Sequence, residues 1–213
     1  PDVPVVPGPI FDADFVRTNR DAIGQAYALL ADEQSRRVFA DTVQFKLSGR
    51  LRYLRGSETG KDEIFRTVLH PGEQEHFADL GAYNGDTIRE LLHYTDGRFA
   101  SVTALEPDRS GRQSRVAAQG RETQMRALDS VLHGRPCTYL KMDVEGAERE
   151  ALRGAAQTIR TWQPKLNIAA YHRSADFFEL PLLVHAMCPA YRLYLRHHPY
   201  VPAWDTNLYA VPR

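Results

Sequence analysis

The chain has 213 residues, 27 basic against 27 acidic side chains, 43% hydrophobic residues and two cysteines. That length suits one domain, or one domain with an appendage, and can bury a real core. Zero net charge excludes the basic excess of a sequence-blind nucleic-acid or membrane-surface binder, and the ordinary charged and aromatic content excludes wholesale disorder. No apolar run approaches the roughly 18 residues of a membrane span. Cys137 and Cys188 are too few for a disulfide framework, so a reduced, cytoplasmic setting is expected. All basic residues except Lys46, Lys61, Lys141 and Lys165 are Arg, which reads as GC-rich coding and predicts a bacterial source.

In chain order, residues 1–9 hold four prolines and read as extended. Helical periodicity follows over 19–30 and 32–47, placing Ile23, Tyr27 and Leu30, then Val38, Phe39, Val43 and Leu47, on single faces, with Gly49 as terminator. After Pro71 and Gly72 strands alternate with helices. Strands are expected at 76–80, 99–105, 137–144 and 166–171, and helices at 86–94, 147–161 and 176–187. Two more strands, 191–196 and 207–211, follow one another directly. The expected fold is α/β: a Rossmann-like, doubly wound, mostly parallel sheet with a C-terminal antiparallel hairpin, preceded by an α-helical N-terminal segment. The division expected is 1–70 and 71–213. The apolar faces of the first part must be covered, as a lid or a homodimer contact.

The turn after the first strand reads Asp79-Leu80-Gly81-Ala82-Tyr83-Asn84-Gly85-Asp86-Thr87. Glycines admit a close ligand, and free amides at the helix start favour a carboxylate or phosphate. Glu106 ends the next strand, where a carboxylate can accept from ribose hydroxyls. Together these describe an adenosine-type cofactor at the switch point of a doubly wound sheet. A nicotinamide dinucleotide site is the rival, but its third glycine is missing: Ile88 stands in that region. The spacing favours S-adenosylmethionine.

A second block, Leu140-Lys141-Met142-Asp143-Val144-Glu145-Gly146-Ala147-Glu148, places acids at a strand's carboxyl end before a glycine turn into a helix. With it, the first turn, Glu106-Pro107-Asp108, Leu152-Arg153-Gly154-Ala155, Pro164-Lys165-Leu166, Tyr171-His172, Tyr194-Leu195-Arg196-His197-His198 and Leu208-Tyr209-Ala210, the sequence resembles the FkbM-type methyltransferases, a class I S-adenosylmethionine-dependent family. The resemblance implies methyl transfer to a hydroxyl of a sugar or natural product. It implies further that Asp79, Gly81 and Gly85, with Ala82, Tyr83 and Asn84 between them, bind the methionine end, that Glu106 holds the ribose, and that Asp143 sits near the sulfonium methyl.

A hydroxyl acceptor needs its proton removed, and Asp143 and His172 both lie at strand ends on the ligand edge, with His172 a candidate base. Alternatively Asp143, Glu145 and His172 hold a divalent cation such as Mg²⁺, though nothing in the spacing demands one. Several residues carry a plainer reading as well. Glu145 fits a helix cap; His197 and His198 fit a substrate pocket or the end of an edge strand; Arg50, Arg52 and Arg55 fit an anionic substrate or a solvated face. The expected partner is a small hydroxylated acceptor, with no nucleic acid and no membrane. A nicotinamide-dependent oxidoreductase and a catalytically silent cofactor-binding module stand as alternatives. One stretch fits poorly: 108–124 is too polar for the third parallel strand of a class I fold. Residues 120–128 instead resemble the end of a hairpin before Leu128-Asp129. The expectation is a disordered stretch missing near 108–113, within a larger parent enzyme, with a genuine deletion that leaves the adenine pocket half built as the alternative.

Overall fold

Asp12 opens the first helix, α1 (Ala13–Thr18), by accepting from the Phe15 N–H at 2.8 Å. Helix α2 (Arg20–Leu29) follows, and Asp32 starts α3 (Glu33–Ser48) in the same way, through the Ser35 N–H at 2.8 Å. Gly49 ends α3 in the left-handed region, φ 66°, as the sequence predicts. Helices α4 (Arg52–Ser57) and α5 (Lys61–Ile64) lead into a π-helical turn, Phe65–Leu69. The structure is a computed structural model that describes residues 9–106, 114–116, 121–123, 127–199 and 205–213. The readings made for residues 1–8 and for 108–113 lie outside the described residues.

From here the chain alternates: β1 (His76–Leu80), α6 (Asp86–Tyr94), β2 (Ser101–Glu106), β3 (Ser114–Val116), β4 (Arg121–Thr123), α7 (Leu128–Leu132) and β5 (Tyr139–Met142). Then come α8 (Glu148–Gly154), α9 (Ala156–Trp162), β6 (Lys165–Ala169), α10 (Asp176–Met187), β7 (Tyr191–His197) and β8 (Thr206–Pro212). The single helix expected over 147–161 is two. Asp129 of α7 accepts from the Gln157 and Thr158 N–H groups, 2.9 and 2.8 Å, and so caps α9 at the break. Gly154 lets the chain pass Ala127, whose Cβ would stand 3.1 Å from an added methyl.

The strands form one eight-stranded sheet in the order β4-β3-β2-β1-β5-β6-β8-β7. The β2-β1-β5-β6 centre is parallel, and β8 and β7 close one side antiparallel. On the other side, where a class I pattern has a third parallel strand, β3 pairs antiparallel with β2 and β4 with β3. Period-two alternation sorts the central side chains. Phe77, Tyr139, Tyr194 and Tyr209 face one way, against Leu91 of α6 and Phe65 of the π turn. Ala78, Leu80, Leu140, Met142, Leu166, Ile168 and Leu208 face the other, against α2, α3 and α7 to α10.

The N-terminal helices join that second core: Ala26, Leu30, Val38 and Phe39 are buried, with Phe39 4.9 Å from the Phe177 ring of α10. They also cover the outer edge of β7. The Ala31 and Thr59 N–H groups donate to the Leu193 and His197 carbonyls, each at 2.8 Å, and the Leu195 N–H donates to Ser35 Oγ at 3.0 Å. An edge strand that would otherwise template aggregation is thereby paired.

Candidate functional site

The chain leaves β1 for β2 on one side and returns to β5 on the other, so the strand order reverses at β1 and β5. Their carboxyl ends flank the crevice where such sheets bind ligands. Gly81, at φ 89°, begins the turn after β1. A Cβ there would lie 1.8 Å from the Asp143 carbonyl oxygen. The expectation that this glycine makes room for a ligand is therefore incomplete: it also lets the β1 turn touch the end of β5. Gly85, at φ 77°, has only the distant ends of Arg89 and Ile88 near an added Cβ, and it starts α6. Between them Tyr83 stands largely exposed in the left-handed region, and its N–H donates to Glu106 Oε2 at 2.6 Å. Glu106 at the tip of β2 is thus drawn to the glycine turn. Asn84 Oδ1 accepts from the Asp86 N–H at 3.1 Å and shapes the helix start.

Beneath the turn, β1–β5 register sets Asp79 beside Lys141. Asp79 is fully buried and neither carboxylate oxygen has a hydrogen-bond partner; the Lys141 Nζ stands 3.4 Å away while donating to the Gly81 carbonyl at 3.0 Å. Burial pushes the Asp79 carboxyl up to about 6, only partly opposed by Lys141. Lys141 also lies 3.9 Å from Asp143. Asp143 is raised as well, chiefly by burial, with Lys141 and His172 opposing.

His172, beyond the end of β6, faces this group. Its Nε2 lies 3.5 Å from Asp143 Oδ1 and 3.6 Å from Glu145 Oε2, and its Nδ1 lies 2.9 Å from Glu148 Oε1. Burial would lower the imidazole's pKa, but the Glu148, Asp143 and Glu145 carboxylates more than offset it and hold it above its ordinary value. The Tyr171 hydroxyl donates to Asp143 at 3.3 Å, and the Tyr171 ring packs 4.2 Å from the imidazole. Helix α8 has no side-chain hydrogen bond at its Ala147 cap; Glu148 Oε1 instead accepts from the Val144 and Gly146 N–H groups of the preceding loop at 3.0 and 3.3 Å.

The structure brings together Asp79, Gly81, Asp143, Glu145 and His172 as the sequence reading grouped them. It adds Lys141, Tyr171 and Glu148, all within the quoted motifs but without a role until the geometry gave one. Asp143, Glu148 and His172 have ligand-type atoms within 4.8 Å of one another; Glu148, not Glu145, completes that set. His197 and His198 are elsewhere and buried: His198 bridges the Thr59 carbonyl and the Tyr209 hydroxyl at 2.8 and 2.7 Å, so its role is in the fold. Arg50, Arg52 and Arg55 are exposed.

Chemically, the carboxylates of Asp79, Asp143, Glu145 and Glu148 outweigh Lys141 and His172. Asp86 adds to the negative field at Asp79. A buried carboxylate without a hydrogen-bond partner calls for a cation. That donor set fits a ligand carrying ammonium and sulfonium groups and repels the pyrophosphate of a nicotinamide dinucleotide. The residues present therefore fit S-adenosylmethionine.

No helix among the described residues is long and apolar enough to cross a membrane. No curated protein matches the sequence. Among solved structures, the crystal structure of a methyltransferase FkbM from Methylobacillus flagellatus KT is similar, with TM-score 0.81 and 29% identity over 94% of this chain. This chain spans 60% of that protein. The methyltransferase FkbM domain matches residues 51–202, from before α4 through β7 and all of the crevice. With the α/β sheet, the glycine turn and the acidic strand end in place, this chain belongs to the FkbM methyltransferase family.

Proposed function

We propose that the chain methylates a hydroxyl of a sugar or natural-product-like small molecule, using S-adenosylmethionine as donor and His172 as the base. Bound there, S-adenosylmethionine supplies an electrophilic sulfonium methyl. Asp79 and the turn from Gly81 to Gly85 would hold the methionine end, and Glu106 the ribose. Within the chain, His172 Nε2 accepts the acceptor's hydroxyl proton as the oxygen attacks. Asp143, 3.5 Å from that nitrogen, positions the hydroxyl and favours the imidazolium that forms. Tyr171 fixes the Asp143 carboxylate by donating to it.

The observation that carries the reading is the placement of an imidazole nitrogen beside Asp143 at the carboxyl edge of the sheet, next to the cofactor turn. A base is what a weakly acidic hydroxyl requires. The test is transfer of isotopically labelled methyl from S-adenosylmethionine to a panel of hydroxylated and amino acceptors. Labelled methyl ethers that disappear with His172→Ala support the proposal. Labelling of nitrogen acceptors alone would contradict it.

A further inference from the structure

We infer that Arg89 binds the α-carboxylate at the methionine end of the cofactor. This rests on the reading of the crevice as an S-adenosylmethionine site.

S-adenosylmethionine brings a carboxylate as well as an ammonium and a sulfonium group. Asp79, Asp86 and Asp143 favour the two cations and repel the anion, so the carboxylate needs donors of its own. The free amides expected at the start of α6 do not supply them. The Gly81 and Ala82 N–H groups both donate to the Leu105 carbonyl, at 2.8 and 3.3 Å, and that of Tyr83 donates to Glu106. Those of Gly85, Asp86 and Thr87 donate to the Ala82 carbonyl, Asn84 Oδ1 and Asp86 Oδ1, at 2.7, 3.1 and 2.9 Å. The turn spends its donors on its own shape.

Two lysines near the turn are committed as well. Lys141 donates to the Gly81 carbonyl from beneath it and stands between Asp79 and Asp143. Lys61 stands between Glu90 and Asp205, at 3.7 and 3.8 Å. Arg89 differs. It lies exposed on α6, and its side chain folds back over the turn: Nη1 donates to the Asn84 carbonyl at 3.1 Å and Nη2 to Asn84 Oδ1 at 3.2 Å. A Cβ added to Gly85 would stand 3.9 Å from Nη1, so the guanidinium lies against the glycine that opens the helix. Among the described residues it has no ion-pair partner. A guanidinium carries about five N–H donors in a planar fork, and those not spent on Asn84 remain for a carboxylate. Asn84 holds the fork in place before a ligand arrives, which limits the side-chain entropy lost on binding.

The test is calorimetric titration of native protein, Arg89→Ala and Arg89→Lys, each as the full chain. The ligands are S-adenosylhomocysteine and its decarboxylated analogue, which keeps the amine and the adenosyl group. Arg89→Ala should weaken S-adenosylhomocysteine about tenfold, the loss of a charge-assisted pair, and the analogue less than about twofold. Arg89→Lys should weaken S-adenosylhomocysteine by a smaller factor, because it keeps the charge and loses the fork. Equal weakening of both ligands in Arg89→Ala overturns the inference, since a residue that only shapes the turn would act that way. So does S-adenosylhomocysteine binding that neither variant changes. Either result leaves the cofactor reading standing. Native protein that binds neither ligand removes that reading, and the inference with it.

Discussion

Two buried charge clusters sit at different places on the same sheet. At β7, Arg196 is 3% exposed and is gripped by Asp32 at 2.6 Å through Nη2 and by Ser35 Oγ at 2.7 Å through Nη1. Burial raises Asp32, yet Arg196 and Ser35 hold it below its ordinary value. At the carboxyl ends of β1 and β5, Asp79 and Asp143 are raised, Glu148 is held below its ordinary value against its burial by His172, and Asp79 and Glu148 keep oxygens without hydrogen-bond partners. In the first cluster both Asp32 oxygens are satisfied within the chain, while Arg196 Nε keeps no hydrogen-bond partner, and the pair holds the N-terminal helices to the sheet. The second is left short of positive charge, which is what a site for a cationic cofactor requires. Satisfaction of the carboxylates, more than burial, separates the two clusters.

The largest effect should come from the unsatisfied cluster. Asp143→Ala is expected to cut methyl transfer by roughly 10²–10⁴-fold, read as initial rate of labelled product. Thermal unfolding should place its midpoint near that of the native protein. A large fall in midpoint would instead make Asp143 structural.

Arg196→Ala should show the converse. Breaking that pair should cost about 2–3 kcal/mol in denaturant unfolding, discounted because Asp32 is a third exposed, while kcat of the folded protein stays unchanged. Asp32 has a folded pKa below its unfolded one, so its contribution is complete above the unfolded value. It is lost as pH falls through the folded value. The stability gap between native protein and variant should therefore close in acid.

Asp79→Asn should move stability the other way. The folded carboxyl is raised from 3.8 to about 6, so ionising it opposes folding increasingly between those values and by a constant amount above them. Removing that charge should add roughly 1–3 kcal/mol at pH 7–8 and nothing below about pH 4. Binding of S-adenosylhomocysteine should weaken at the same time, a trade of stability for function.

The smallest effect is on pH dependence. With His172 held above its ordinary value by the carboxylates around it, kcat should climb with pH through an apparent pKa above 6.5. A rate that is flat there, or that falls with rising pH, would remove His172 as the base.

Local signals made much of this legible. Strand β1 and helices α6 and α10 start and stop where residues 76–80, 86–94 and 176–187 placed them: α6 by a period-3.6 apolar face, β1 as a short run buried on both faces before a glycine turn, and α10 as a largely apolar run that holds Pro181 within it. The glycine turn and the acidic strand end are contiguous motifs, so their residues were readable. Long-range partners were not. Arg196 and Asp32 are 164 residues apart, and nothing in either neighbourhood announces the other. Glu148 read as part of a motif, but its role depends on a ring delivered by a different strand. The break at Ala155 depends on a cap from Asp129, a residue of another helix. Gly81 read as room for a ligand, because the approach of Asp143 exists only once β1 and β5 pair.

The central claim is that the acid-rich crevice binds a cationic adenosyl cofactor. Parallel calorimetric titrations with S-adenosylhomocysteine and with NAD, on native protein and Asp79→Asn, test it most directly. The account predicts saturable binding of S-adenosylhomocysteine that weakens in the variant, and no binding of NAD. Binding of NAD without S-adenosylhomocysteine would contradict it.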